Sequence, residues 1–445
     1  MKTIRLTIVV LCALTIFQTR FSYATDAQSE RSFNQQGQSA SQAQSQPASQ
    51  AASPPTNPAT RPVISDLNAA KQRLTDAAKA RGLDVTRISG FLTMLDATSA
   101  RYGTTEKQLV GALDGLTKIL TSTTKSPLYT GNQLEMAFET ALHNIACPME
   151  IDQGYHPTCN VTTVEVFAAA RHPDKYVAMV KDIALTGSFT ANDGRVARPP
   201  KSALLPGDDE NNYDITQPNS DKRNLASQIV QMTLINSAYE LGHVLKQKAV
   251  RKPDGTTEYV MAPVTDRRYV LGARRKKTYG NGFIDLGEDM LIDLNGKGII
   301  NSHTKELEDG PAFTQDEVVA ASKMWLGYEM PYITTPYMTT THDPRTGRTT
   351  NSPWVYDLPD KARLLKAKAD GKFPLGVPTI GGAHVQTIHD VVVDKRGNVW
   401  VLLDNQHGTE RDGWVPLSDL HSTQKSNKVH LKPKYRPDDL SWNKQ

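Results

Sequence analysis

Four residue types stand in an order that could carry thiol chemistry. Gln153, within Asp152-Gln153-Gly154, lies six positions before Cys159. Far downstream, Gly381-Gly382-Ala383-His384 opens an apolar run, and Asp404-Asn405 closes the run that follows it. A cysteine is an effective nucleophile as thiolate, a form favoured by a helix N-terminus and by a nearby imidazolium. Pro157-Thr158 ahead of Cys159, and the stretch behind it, place the thiol at such a terminus. His384 would take up the thiol proton, and a third polar group would orient its ring. Asn405 can fill that place. Asp404 is the alternative orienter, because a one-residue slip of strand pairing exchanges the two. The Gln153 amide and the backbone N–H of Cys159 would face the oxyanion of an attacked carbonyl.

Two kinds of scaffold must hold these groups. From Ser65 to about Ala146 the chain reads as helices. Ser65 precedes Leu67, Ala70 and Leu74; Thr104 or Thr105 precedes Leu109, Leu113, Leu116 and Leu120; Asn132 precedes Leu134, Phe138, Leu142 and Ile145, with Pro148 as the stop. Residues 161–171 begin β-branched, but Phe167-Ala168-Ala169-Ala170 favours helix. Pro173 starts another helix, to about Leu185. Ala191-Asn192-Asp193-Gly194 reads as a hairpin turn between Phe189-Thr190 and Val196-Ala197. Residues 206–221 read as a polar loop with a solvated Asp208-Asp209-Glu210. Asp221 is the expected cap of a helix to about Lys246, and Thr314 with Glu317 forms a capping-box pattern. The C-terminal part reads as strands: 384–393 and 398–403 joined by a turn at Asp394–Gly397, then Trp414–Leu417. The expected fold class is α+β.

At the residues named first, the chain resembles the papain-like cysteine peptidases. Their glutamine has the same spacing to the nucleophile, in Asn-Gln-Gly; their histidine begins a strand after small residues, here Gly382-Ala383-His384-Val385. Their asparagine is followed by a glycine and then an aromatic, here Asn405-Gln406-His407-Gly408 and Gly413-Trp414. The resemblance implies a papain-like α+β fold: a helical lobe led by the cysteine helix, packed against an antiparallel β half and preceded by a helical region. It implies an amide (peptide) bond as target, in a peptide or protein substrate. It implies Cys159, His384 and Asn405 as catalytic residues and Gln153 as oxyanion donor. Asn160 and His407 replace family aromatics, and the neighbouring family disulfide cysteine is absent. The long span from Cys159 to His384 implies an insertion within about 205–370. Asp404 also suits transglutaminase-like acyl transfer. A reading from another class is a non-catalytic secreted binding or scaffold protein with a Cys147–Cys159 disulfide.

The rest of the chain bounds these readings. Lys2 and Arg5, the apolar run Leu6–Phe17, and Ser22-Tyr23-Ala24 read as a signal peptide over 1–24, and hence export to a periplasmic or extracellular space. Residues 25–62, rich in Ser, Gln, Ala and Pro, read as a disordered linker. A helical subdomain over 63–146 follows, either an inhibitory prosegment or a fixed lobe, and then a domain over 147–445. No later run approaches the roughly 20 apolar residues of a membrane span. Removing Lys2, Arg5 and Arg20 lowers the formal charge of +4 to about +1, which argues against a nucleic-acid partner. The basic run Arg274–Lys277 reads as a solvated loop. No cofactor and no metal are expected. Asp293-Leu294-Asn295-Gly296 opens as a calcium loop does, but the twelfth position is Thr304. A β-turn is therefore the reading, with Asp293 and Asn295 the one weak calcium candidate. His243 lacks the second histidine of a zinc-protease helix and reads as a surface or core residue.

Overall fold

The computed structural model describes residues 66–420, apart from 155, 218–221, 272–276, 279–283, 286–288, 301–306, 309–312, 314, 333–335, 338–339, 343–348, 352–354, 357–358, 380–383 and 407–411. The signal peptide, the linker, Asp221, Thr314, Gly381–Ala383 and His407-Gly408 lie outside the described residues. The architecture is α+β, a mass of helices beside an antiparallel sheet. Among the described residues no helix is long and apolar enough to cross a membrane.

Helices α1 (Asp66–Ala80), α2 (Val85–Tyr102), α3 (Glu106–Thr121) and α4 (Gly131–Ala146) come first. Their starts are chemically marked. Asp84 caps α2, and Thr105 and Thr130 form reciprocal capping boxes with Gln108 and Gln133. The fourth helix therefore begins one residue before the Asn132 expected, because Thr130 takes the cap. Helices α5 (Cys159–Arg171), α6 (Pro173–Thr186) and α7 (Leu225–Glu240) complete the centre. Residues Val161 to Ala170 of α5 and Leu225 to Tyr239 of α7 are all buried. A helix covered on every side shows no amphipathic stripe, and tertiary burial then outweighs the β-branched start of α5.

α7 packs on α4, α5, α6 and α8 (Gln315–Leu326), and α3 packs on α1 and α6. One apolar core runs from Leu74 in α1 through Phe138 and Phe167 to Ile229 and Trp325. The first four helices thus share a core with the helices that follow Cys159. α7 is capped by Asn224 and ends at Glu240, short of Lys246, where Gly242 turns the chain at φ +74°. Lys246 instead lies in a two-stranded hairpin of β1 (Leu245–Arg251) and β2 (Thr257–Pro263). β3 (Arg267–Leu271) pairs with β4 (Asp289–Asp293) against α7. The small pairing Phe189↔Ala197 forms as expected.

The acidic loop is not simply solvated. Glu210 is fully buried and ion-paired at 2.8 Å with the equally buried Arg223. The main sheet has order β5-β6-β7-β8: Leu375–Thr379, His384–Val393, Val399–Asp404 and Gly413–Pro416, all antiparallel. One face holds Ile388, Val401, Leu403 and Val415 with Leu364 of α9 (Lys361–Ala369). The other holds Leu402, Trp414 and Val392 with Met149 of the helical side. The Asp394–Gly397 turn is closed by Asp394 Oδ1, which accepts from the N–H groups of Arg396 and Asn398, with Gly397 at φ +82°.

Candidate active site

Cys159 is the first residue of α5. Thr158, at the cap position, does not cap the helix: its hydroxyl donates to Gln231 Oε1 of α7 at 2.7 Å. The free first-turn N–H groups can therefore face the thiol. Backbone N–H groups of Cys159, Asn160 and Val385 all favour the thiolate, and Val385 immediately follows His384. Burial opposes them and prevails, so the half-buried thiol is held above its ordinary range. Cys147 and Cys159 are both free. Tyr332 lies close enough to Cys159 for the thiolate charge to act on its phenol, after burial, in the same upward direction. Gly376 leaves room for that ring; a Cβ there would lie 2.7 Å from it.

His384 is buried at the start of β6. Its Nε2 lies 3.0 Å from Asn405 Oδ1 and 3.1 Å from the Asn405 carbonyl. Both partners are acceptors only, so Nε2 carries the hydrogen in the neutral ring. Nδ1 is then the basic nitrogen, the one required to accept a thiol proton. Gln386, two residues on and on the same face, donates its amide to Asn405 Oδ1 as well. Strand register explains why Asn405, not Asp404, orients His384. Thr387 pairs with Asp404, so Asp404 points to the face of Thr387 and Asn405 to that of His384 and Gln386.

Asp404 serves a second histidine. His389 is the extra residue of a β-bulge between Ile388 and Asp390. Its Nε2 lies 3.2 Å from Asp404 Oδ2, and its Nδ1 lies 2.5 Å from the Tyr102 hydroxyl of α2. All three are buried. Burial holds the imidazole well below its usual value and the Asp404 carboxyl well above its own.

Gln406 joins the pieces. It is the one non-glycine residue at positive φ (+61°) among those described, a conformation that costs about 1 kcal/mol. Its amide donates to Thr163 Oγ1 of α5 and to Thr387 Oγ1 of β6, both at 2.9 Å, and its N–H to Asp404 Oδ1 at 2.8 Å. Its carbonyl accepts from the Gln153 N–H at 3.0 Å. The loop that carries Gln153, the cysteine helix and the Asn405 strand end are thus tied at one residue.

Gln153 itself is buried, and its amide donates to the His156 carbonyl at 2.7 Å. One of its two amide N–H bonds is engaged there, closing the loop that precedes Cys159. Beneath the loop, His156 Nδ1 lies 2.9 Å from Asp289 and Nε2 lies 3.6 Å from Asp209. Burial and Arg223 oppose a charge on this ring. Asp289 and Asp209 outweigh them and raise its pKa to about 9. Gly154, at φ +61°, has no room for a side chain: a Cβ would lie 2.7 Å from Asp209 and 2.9 Å from the Arg223 nitrogen.

The structure therefore brings Cys159, His384 and Asn405 to one place, with Gln153 in the adjoining loop. Gln386, Gln406, His389 and Tyr102 were not singled out in the sequence. The period-2 alternation of His384, Gln386 and Ile388 was a signal for Gln386; Tyr102, in another lobe, had none. Asp293 and Asn295 form a turn: Asp293 Oδ1 accepts from the N–H groups of Asn295 and Lys297, with Gly296 at φ +81°. His243 receives Arg195 at its Nε2.

No protein-family model matches this chain, and no curated protein and no solved structure matches it either.

Proposed function

We propose that the chain is a papain-like cysteine hydrolase of amide bonds, with peptide or protein substrates and an exported setting. The observation that carries this reading is the His384 Nε2–Asn405 Oδ1 bond beside Cys159, whose thiol lies against the Val385 N–H. That bond sets Nδ1 of His384 as the base. Cys159 Sγ attacks the carbonyl carbon as His384 accepts the thiol proton. The oxyanion is held by the Cys159 N–H and by the Gln153 amide once substrate draws it from the His156 carbonyl. His384 then donates its proton to the leaving amine, and water, deprotonated by the same ring, hydrolyses the thioester. Burial keeps Cys159 protonated in the resting state, so proton transfer accompanies attack and alkylation speeds up steadily with pH.

In this reading α1–α4 are a fixed lobe, since their core is continuous with that of α5–α7. Mass spectrometry of the active protein should find residues 66–146 retained. A thiol-directed alkylating probe tests the site. The native protein should label at Cys159, and His384→Ala should suppress that labelling. An unlabelled Cys159 bonded to Cys147 would leave the binding-protein reading in its place. If labelling holds, conjugates formed with an added amine acceptor would turn hydrolysis into acyl transfer.

A further inference from the structure

A second cluster of donor atoms stands at the C-terminal end of α4, independent of the thiol chemistry at Cys159. His143 Nε2 and Glu150 Oε2 are 2.8 Å apart, and with Cys147 Sγ all three donor atoms lie within 4.8 Å of one another. The Cys147 thiol also meets Met94 Sδ of α2 at 3.5 Å. Around a tetrahedral ion with metal–sulfur bonds of about 2.3 Å, two sulfurs sit roughly 3.8 Å apart. The sulfur pair is therefore within a few tenths of an ångström of ligating distance. The nitrogen–oxygen pair needs to open by a little more.

The four ligands come from rigid elements. Met94 lies in α2, His143 in the last turn of α4, Cys147 just before the one-turn helix Pro148–Glu150, and Glu150 at its end. The His143 ring is buried and held edge-on by Phe91 at 5.2 Å, with its Nδ1 3.4 Å from Asn144 Oδ1. Nε2 is thereby directed at the cluster. An entry path exists: Met94 is 40% exposed, and the Glu150 side chain 35%.

Thiolate and thioether sulfur together select a soft ion, whereas carboxylate and imidazole alone do not. We propose that Met94, His143, Cys147 and Glu150 bind one Cu(I) ion. On binding, the Cys147 S–H bond breaks, its proton passes to solvent and a sulfur–copper bond forms, with no change of oxidation state.

Anaerobic titration of the full chain with Cu(I), with bicinchoninate as competing chelator, tests this. One tight equivalent is expected. It should persist in Cys159→Ser, vanish in Cys147→Ser, and weaken at least tenfold in Met94→Leu. Met94→Leu keeps the volume of a half-exposed side chain, so it reports on the site even where Cys147→Ser lowers stability. A tight equivalent that follows Cys159, or that ignores both Cys147→Ser and Met94→Leu, overturns the proposal. So does Zn(II) binding of equal strength that is indifferent to Met94→Leu, which would make the site a borderline-metal one.

Discussion

His384 and His389 stand five residues apart on one strand, and each is bonded to one of two adjacent residues, Asn405 and Asp404. The pairs lie on opposite faces: Asp404 stands opposite Thr387, Asn405 alternates to the face of His384, and His389 sits in the bulge between Ile388 and Asp390. His384 meets only acceptors at Nε2, which leaves Nδ1 the basic nitrogen, and the next residue, Val385, turns its N–H to the Cys159 thiol. His389 is closed at both nitrogens, by Asp404 and by Tyr102 of the helical lobe. A ring whose Nε2–H is fixed on acceptors presents Nδ1 as its basic atom and can shuttle protons. A ring bonded at both is a strut, and this one ties α2 to the sheet. Residue type alone would have favoured the reverse assignment, since the His–carboxylate pair is the stronger-looking dyad.

The largest expected contrast comes from exchanging the two rings in turn. His384→Ala should slow thiol alkylation and any amide turnover by about 1,000-fold or more, with little change in melting temperature. His389→Ala should destabilise the fold by about 3 kcal/mol in denaturant unfolding and leave the rate per folded molecule close to native. Equal losses of rate in both variants would dissolve the distinction.

The next contrast is in pH. His156 stays protonated in the fold to about pH 9, above the ~6.5 of an unfolded imidazole. Its contribution, on the order of 3 kcal/mol, is complete below that lower value and disappears as pH rises through 9. Unfolding free energy should fall over that window, and His156→Gln should flatten the profile. His389→Gln should leave the slope over that window intact, because burial holds the His389 pKa well below it.

A smaller pair of substitutions addresses the orienters. Asn405→Ala frees the His384 ring and should lower the rate about 100-fold. Asp404→Asn replaces a carboxyl whose pKa burial raises with an isosteric amide, and should cost about 1 kcal/mol or less. A severe loss of rate in Asp404→Asn alone would hand the orienting role to the carboxylate. The smallest effect belongs to Tyr102→Phe. Removing the hydroxyl at His389 Nδ1 should cost about 1 kcal/mol, read by thermal unfolding, with no change in labelling rate.

Much of the local structure was legible. Thr105, Pro173 and the Asp394–Gly397 turn act through backbone groups a few residues away, so their effect is written in adjacent positions, whereas the caps expected at Asn132 and Asp221 fall to Thr130 and Asn224. The α5 assignment was less secure, because a helix buried on all sides carries no amphipathic period. The acidic loop misled for a related reason. Glu210 resembles any exposed carboxylate until Arg223 is brought to it.

The sequence by itself determined the order Gln153, Cys159, His384, Asn405, the α+β class and the thiol at a helix start. Only the tertiary structure decided which of Asp404 and Asn405 serves which histidine. A sheet alternates faces every residue, so one bulge reverses every later assignment, and no composition or spacing rule counts bulges. The same holds for Gln406, whose positive φ and four hydrogen-bond partners come from segments more than 200 residues apart. Those partners meet because burying the sheet against α5 removes apolar surface from water, which is a property of the whole chain and not of any window of it.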